Sequence, residues 1–169
     1  MQNILTPRLT LRPFTLEDVD VVHALWTDPD VRRYLWDNVV IARERVEEMV
    51  RAIIAGFERN GRGMWLIFEN GAERPCGFCG FLPRKEPDRA EIIYGLAPSA
   101  WGRGYATESA RAVMEYGFNT LKLPKIGAAA DVPNTASARV LERLGMRFLR
   151  REVVHGVDLL FYEIDKTSE

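Results

Sequence analysis

Trp101-Gly102-Arg103-Gly104-Tyr105-Ala106-Thr107-Glu108 stands where one periodicity gives way to another. Residues 90–97 read as a strand, whereas Ala106, Ala110, Val113, Met114 and Phe118, with Gly117 beside them, recur at helical spacing. Glycines at such a junction let the backbone come close to a ligand, and the free N–H groups that open a helix favour an anion. Phosphate is the natural ligand of a loop built this way. The nucleotide-binding templates do not fit, because Gly102-Arg103-Gly104-Tyr105-Ala106-Thr107 lacks the third glycine and no Gly-Lys-Ser/Thr follows. Taken alone, a plain turn leading into a helix explains the stretch as well.

Downstream, residues 125–132 form an apolar run that predicts a strand, and residues 135–144 a helix. Asn134 is placed as its N-cap and Gly145 as its left-handed C-cap. Ser137 falls in the first turn, where an idle helix serine is equally at home. Two strands, at residues 146–154 and 157–165, turn at His155-Gly156. Upstream, residues 64–69, 76–82 and 90–97 predict a three-strand antiparallel meander, with breaks at Asn70-Gly71 and Glu86-Pro87-Asp88. A helix over residues 42–59 presents Val46, Met49, Val50, Ile53, Ile54 and Phe57 as a single apolar stripe. Thr15-Leu16-Glu17-Asp18 looks like a capping box opening a helix over residues 16–27, which Asp28-Pro29 stops. Before it, Leu9 and Leu11 alternate with Arg8, Thr10 and Arg12, the pattern of a half-buried strand. The order β-α-α-β-β-β-α-β-α-β-β predicts an α/β fold with a mixed sheet and helices on both faces.

A chain of 169 residues is one domain's worth, expected here over residues 1–169 with a core at about 8–165. Lys and Arg total 23 against 24 for Asp and Glu, a balance unlike the basic surface of a dedicated nucleic-acid binder. No apolar run approaches the ~18 residues of a membrane span, and the N-terminus lacks a signal-peptide pattern. The chain is therefore expected to be soluble and cytoplasmic, with neither nucleic acid nor membrane as partner. Cys76 and Cys79 lie on a predicted strand, where i and i+3 point to opposite faces, so packed thiols fit better than a redox or zinc pair. His23 and His155 have no partner at ligand or triad spacing, and no metal is expected.

Three stretches in this order resemble the GNAT superfamily of acetyltransferases, and within it the RimJ/RimL-type branch. They are Thr6-Pro7-Arg8-Leu9-Thr10-Leu11-Arg12-Pro13-Phe14; Tyr94-Gly95-Leu96 running into Trp101–Glu108; and Asn134-Thr135-Ala136-Ser137 through Leu144-Gly145. The resemblance spans residues 5–165. It implies a single-domain acyl-CoA N-acyltransferase fold: a central, mostly antiparallel sheet of about seven strands, two of them splayed to form a cleft for acetyl-CoA. It also implies that backbone N–H groups of Trp101, Gly102, Arg103, Gly104, Tyr105, Ala106 and Thr107 hold the CoA pyrophosphate. Trp101 replaces the usual Gln or Arg and is left to act through its backbone or by packing. Leu96 and Ala97 are implied to pair with the pantetheine arm and to offer an N–H to the thioester oxygen. Asn134 is implied to touch the arm from the neighbouring strand. Arg139 and Arg143 reach CoA phosphates or make a solvated helix face.

Acetyl transfer to an amine needs a neutral nucleophile, a polarised carbonyl and a proton for the departing thiolate. The resemblance points to Glu91 as the base, although a strand-start carboxylate is the plain alternative. The tyrosine that often serves as acid seven residues past Asn134 is Leu141 here, and the resemblance assigns the task to Ser137 instead. Unaided thiolate departure is the other route. Glu108 reads as a helix-dipole and packing residue. Trp26, Tyr34 and Trp36 either roof an acceptor site or pack the core. The expected reaction is direct acetyl transfer to a primary amine, first a protein or peptide N-terminus, second a small amine such as an aminoglycoside, polyamine or amino acid. A non-catalytic acyl-CoA-binding module is the rival from another class. The expected assembly is a monomer or homodimer.

Overall fold

The structure, a computed structural model, describes residues 1–82 and 90–166, so the break expected at residues 86–88 lies outside the described residues. Along the chain run β1 (Ile4–Leu5), β2 (Leu9–Pro13), α1 (Val19–Thr27), α2 (Pro29–Arg32), α3 (Arg43–Asn60), β3 (Met64–Glu69), β4 (Gly77–Phe81) and β5 (Ala90–Leu96). After them come α4 (Tyr105–Asn119), β6 (Lys125–Asp131), α5 (Thr135–Arg143), β7 (Arg147–Val154) and β8 (Val157–Asp165).

The predicted capping box forms. Asp18 Oδ2 accepts from the Thr15 N–H at 2.7 Å and from its hydroxyl at 2.9 Å, and Arg12 closes a bidentate pair on the same carboxylate. Burial pushes the Asp18 carboxyl up, but the hydrogen bonds from Arg12 and Thr15 outweigh it and hold the group below its ordinary value. On α3 the stripe is buried as the spacing predicts: Val46, Val50, Ile53 and Phe57 enter the core, with Met49 and Ile54 at its margin. Helix α5 ends as expected, the Gly145 N–H donating to Glu142 O and the Met146 N–H to Leu141 O.

All strands join one eight-stranded sheet in the order β1-β2-β3-β4-β5-β6-β8-β7. The expectation of about seven strands falls short by β1, whose Ile4 and Leu5 pair with Leu11 and Thr10. Two residues are too few to display a period of two. The final hairpin enters through its second strand, so β8 and not β7 borders β6.

Neighbouring positions on β4 settle which helices cover which face. Phe78 meets Trp26 of α1 edge-on at 5.8 Å, whereas Cys79 shares its row with Trp65, which packs on Tyr116 of α4 at 5.2 Å. Successive strand residues point to opposite faces, so α1 lies on one face and α4 on the other. Trp26 is fully buried between Phe14, Trp36 and Phe78, and truncating it to alanine is expected to cost about 3–5 kcal/mol. Beside it, Gly95 leaves room for a ring: a Cβ there would stand 2.6 Å from Phe78 Cε1.

The centre of the sheet is where it opens. β5 and β6 are its parallel pair, matched at Ala90–Ile126 and Glu91–Gly127. Beyond that point β5 follows β4 and β6 follows β8, so the two strands part. Among the described residues, no helix is long and apolar enough to cross a membrane.

Candidate active site

A cleft of about 760 Å3 runs along this splay, with β5 as one wall and β6 and α5 as the other. The ladder between β4 and β5 decides which backbone groups face it. The Ala97 N–H donates to Cys76 O and the Leu82 N–H to Glu91 O, so odd-numbered residues of β5 bond to β4. Alternation then turns the N–H and C=O groups of Ile92, Tyr94 and Leu96 toward the splay. Of Leu96 and Ala97, it is the Leu96 N–H that is directed into the splay. The Ala97 N–H is instead engaged with Cys76 O at 2.9 Å.

At the far end of β5 the chain turns into α4. Gly102 and Gly104 have φ of +70° and +79°, the left-handed region that β-carbons oppose, and Gly104 is the residue preceding the helix. No side chain caps α4, so the N–H groups of Tyr105, Ala106 and Thr107 have no helical acceptor and are open to an anion. Trp101, Gly102, Gly104, Tyr105, Ala106 and Thr107 all line the cleft. The Trp101 indole N–H donates to Leu96 O at 2.9 Å, tying the loop to the strand end. Arg103 departs from expectation. Its guanidinium forms a bidentate pair with Glu69 at 2.6 and 2.8 Å and lies 4.6 Å above the Tyr105 ring, so only its backbone belongs to the loop.

Arg8 completes the loop's support, and the sequence pattern did not single it out for this. It donates to Arg103 O at 2.8 Å, pairs with Glu108 at 2.6 Å, and its guanidinium stands 4.8 Å from the centre of the Tyr105 ring. Glu108 also accepts from Thr6 Oγ1 and the Arg8 N–H, so it fastens the N-terminal strands to α4 and is more than a dipole residue. Burial pushes the Glu108 carboxyl up, but the Thr6 and Arg8 hydrogen bonds prevail and keep it below its ordinary value.

Across the splay, Asn134 caps α5, its Oδ1 accepting from the Ser137 N–H at 3.2 Å. Both residues line the cleft, as do Arg139 and Arg143. Leu141 is fully buried, so its position offers packing and no proton. Ser137 Oγ instead meets the Tyr94 hydroxyl at 2.9 Å, and that hydroxyl stands 3.2 Å from Ser137 O. Burial pushes the Tyr94 phenol far up, with the Ser137 hydrogen bond opposing. Tyr94 thus lines the cleft, although its sequence pattern marks it only as part of a strand.

Strand alternation sorts the rest. Gly95 shares the Phe78 row on the α1 face, so Glu91 also lies on that face, while Tyr94 and Ser137 are on the α4–α5 face. Asp30, Arg33, Tyr34 and Leu35 bound the cleft on the α1 side, which divides the aromatic cluster: Tyr34 lines the cleft and Trp26 belongs to the core. Trp36, Asp37 and Asn38 form a left-handed turn with φ of 51°, 54° and 59°. Asp131, on the opposite wall, has its carboxyl pushed up by burial and then by the charge of Asp37. Among the described residues, no group of three His, Cys, Asp or Glu side chains is arranged to hold a metal ion.

A V-shaped opening between parallel strands, a glycine loop at a helix N-terminus and a capped helix facing it suit a long phosphorylated thioester. The comparisons agree. Residues 8–147 match the Acetyltransferase (GNAT) domain family. An uncharacterized N-acetyltransferase, p20, of Bacillus licheniformis is 32% identical over 148 residues, covering 87% of this chain and 83% of its own. The spermidine N(1)-acetyltransferase of Escherichia coli K12 is 27% identical over 150 residues, 86% of this chain and 75% of that protein. Among solved structures, the RimL ribosomal L7/L12 α-N-protein acetyltransferase in complex with coenzyme A superposes with a TM-score of 0.83 at 24% identity, covering 97% and 98% of the two chains. The chain belongs to the GNAT family of acetyltransferases and has its fold.

Proposed function

We propose that the protein transfers the acetyl group of acetyl-CoA directly to a primary amine, with a protein or peptide N-terminus as acceptor. The observation that carries this reading is the placement of Glu91 and Ser137 on opposite faces of one splay. A thioester threaded between β5 and β6 presents its carbonyl to an amine arriving from the α1 side, where Glu91 accepts the ammonium proton. The Leu96 N–H stabilises the oxygen as it gains charge. Sulfur departs toward α5, where the Ser137 hydroxyl donates to it. The pyrophosphate rests on the N–H groups between Gly102 and Thr107, and Asn134 holds the arm with its free amide hydrogens.

The acceptor side supports a main-chain N-terminus because Asp30, Arg33 and Tyr34, which line it, are exposed at the surface. A second reading, a small polyamine, draws on a different observation. Glu91 and Asp131 lie on the acceptor side of the two walls, with Asp37 close enough to push the Asp131 carboxyl up, so that side is acidic. The test is thiol release from acetyl-CoA with peptides of defined N-terminus, spermidine and an aminoglycoside, products being identified by mass spectrometry. The first reading expects the best kcat/KM on a peptide N-terminus. A higher value on spermidine would replace it with the second.

A further inference from the structure

The buried Tyr94 phenol takes no part in the reaction as described, yet it touches the group on which thiolate departure depends. Its hydroxyl crosses the splay from β5 to α5 and stands 2.9 Å from Ser137 Oγ and 3.2 Å from Ser137 O. Each hydroxyl has one proton, so the pair has two arrangements. When Tyr94 donates to Ser137 O, the serine proton is directed at the phenol oxygen and none is offered to the cleft. When Tyr94 donates to Ser137 Oγ, the serine proton is free to turn into the cleft. Negative charge developing on sulfur selects the second arrangement, and it strengthens both bonds of the chain together.

We propose that Tyr94 is a positioning residue for acetyl transfer: by donating to Ser137 Oγ across the splay, it aims the serine proton at the departing CoA sulfur. This rests on the reading of Ser137 given above. The phenol hydroxyl is engaged by Ser137 Oγ and Ser137 O, so Tyr94 acts on the sulfur through the serine. The C–S bond breaks, its electron pair stays on sulfur, and the resulting thiolate is held by the Ser137 O–H until water supplies its proton. Fully buried Leu141 leaves its position on α5 without a hydroxyl, and Tyr94 brings one from the other wall.

A readout independent of any acceptor tests this. CoA bound to the protein is titrated, and thiolate formation is followed by its ultraviolet absorbance. A donor aimed at sulfur favours the charged form, so the bound thiol should ionise below free CoA. Ser137→Ala and Tyr94→Phe should each raise that midpoint by about one pH unit, the equivalent of tenfold in thiolate stabilisation. The double variant should shift it no further than either single one. In turnover with spermidine or a peptide, Tyr94→Phe should lower kcat about tenfold with KM for acetyl-CoA unchanged. If Ser137→Ala leaves the midpoint in place, the Ser137 reading falls and this one with it. If Ser137→Ala raises it and Tyr94→Phe does not, only the Tyr94 proposal falls. Additive shifts in the double variant overturn positioning as well, because Tyr94 would then act on sulfur independently. Phenylalanine keeps the ring's packing, and equal far-ultraviolet dichroism of the variants confirms that the fold is intact.

Discussion

Glu91 and Asp131 are both carboxylates on the α1 side of the splay, but their surroundings differ. Glu91 lies where the strands begin to part, and the proposed reaction has it take a proton from the attacking amine. Glu91→Gln should lower kcat/KM by about 10²–10⁴-fold, the usual worth of a general base. The deficit should narrow as pH rises, because more of the amine is then neutral without help; a change under threefold at every pH returns Glu91 to a structural role. Asp131 sits farther along β6, its carboxyl raised by burial and then by Asp37. A carboxyl raised on folding binds its proton more tightly in the folded state, so its burden on stability is absent below the ordinary Asp range and grows as pH rises through the folded value. Asp131→Asn should therefore raise the melting temperature at neutral pH and leave it unchanged in acid. If a cationic acceptor is held there, KM for spermidine should rise about fivefold while KM for acetyl-CoA stays put. At this scale the sequence was readable where a side chain acts from its own local motif. Asn134 and Ser137 sit in one capping motif, and both line the cleft. Tyr94 acts on Ser137 from 43 residues away, and no local pattern carries that.

The loop between Trp101 and Thr107 is an element held in shape from behind. Its φ angles at Gly102 and Gly104 provide the bend, and Arg8, Arg103, Glu69 and Glu108 fix it before any ligand arrives. The Glu108 carboxyl is lowered on folding, so its contribution is complete above the ordinary Glu range and is lost as pH falls through its lower folded value. Glu108→Gln should cost about 1.5–3 kcal/mol at neutral pH, toward the low end because Arg8 is half exposed. It should also remove part of the acid limb of the stability profile, and CoA affinity should fall with it. A variant melting like the parent at pH 7, with CoA binding intact, would show that the loop keeps its shape unaided. The long elements were legible because their periodicity is sustained: β3 and β8 match their expected spans residue for residue, and α3 is displaced by one residue at each end. β1 and α2 are too short to show a period, and the Trp36–Asn38 turn is left-handed with no glycine to announce it. The register that sends the Ala97 N–H to Cys76 and leaves the Leu96 N–H for the cleft is a relation between strands, which composition along one strand does not encode.

Across the whole molecule, the sheet is two blocks meeting along a short seam. β1 to β5 form one block and β6, β8 and β7 the other, joined in the sheet by the Ala90–Ile126 and Glu91–Gly127 pairs. Past the seam, backbone groups of Tyr94 and Leu96 face the cleft without a strand partner. In the proposed binding mode a pantetheine arm laid between β5 and β6 bonds to that edge and the pyrophosphate rests on α4, so ligand binding should close the sheet as a missing strand would. Two signatures follow. At a hundredfold excess over Kd, CoA should add about 2.7 kcal/mol of stability. For a domain of this size each kcal/mol moves the midpoint by about 2–4 °C, so a rise of roughly 5–11 °C is expected. Amide exchange should slow on both sides of the splay, at Leu96 and at Ala129 to Asp131, and change little in the β7–β8 hairpin. Gly104→Asp separates this from a general tightening of the fold. Aspartate tolerates the left-handed conformation, so the cost without ligand should be about 1–2 kcal/mol. Its carboxylate, however, stands where the phosphates approach the open N–H groups of α4. The variant should fold, melt a few degrees lower and show neither the CoA-induced rise nor the added protection. If Gly104→Asp still gains the full rise with CoA, the loop between Gly102 and Thr107 does not hold the pyrophosphate.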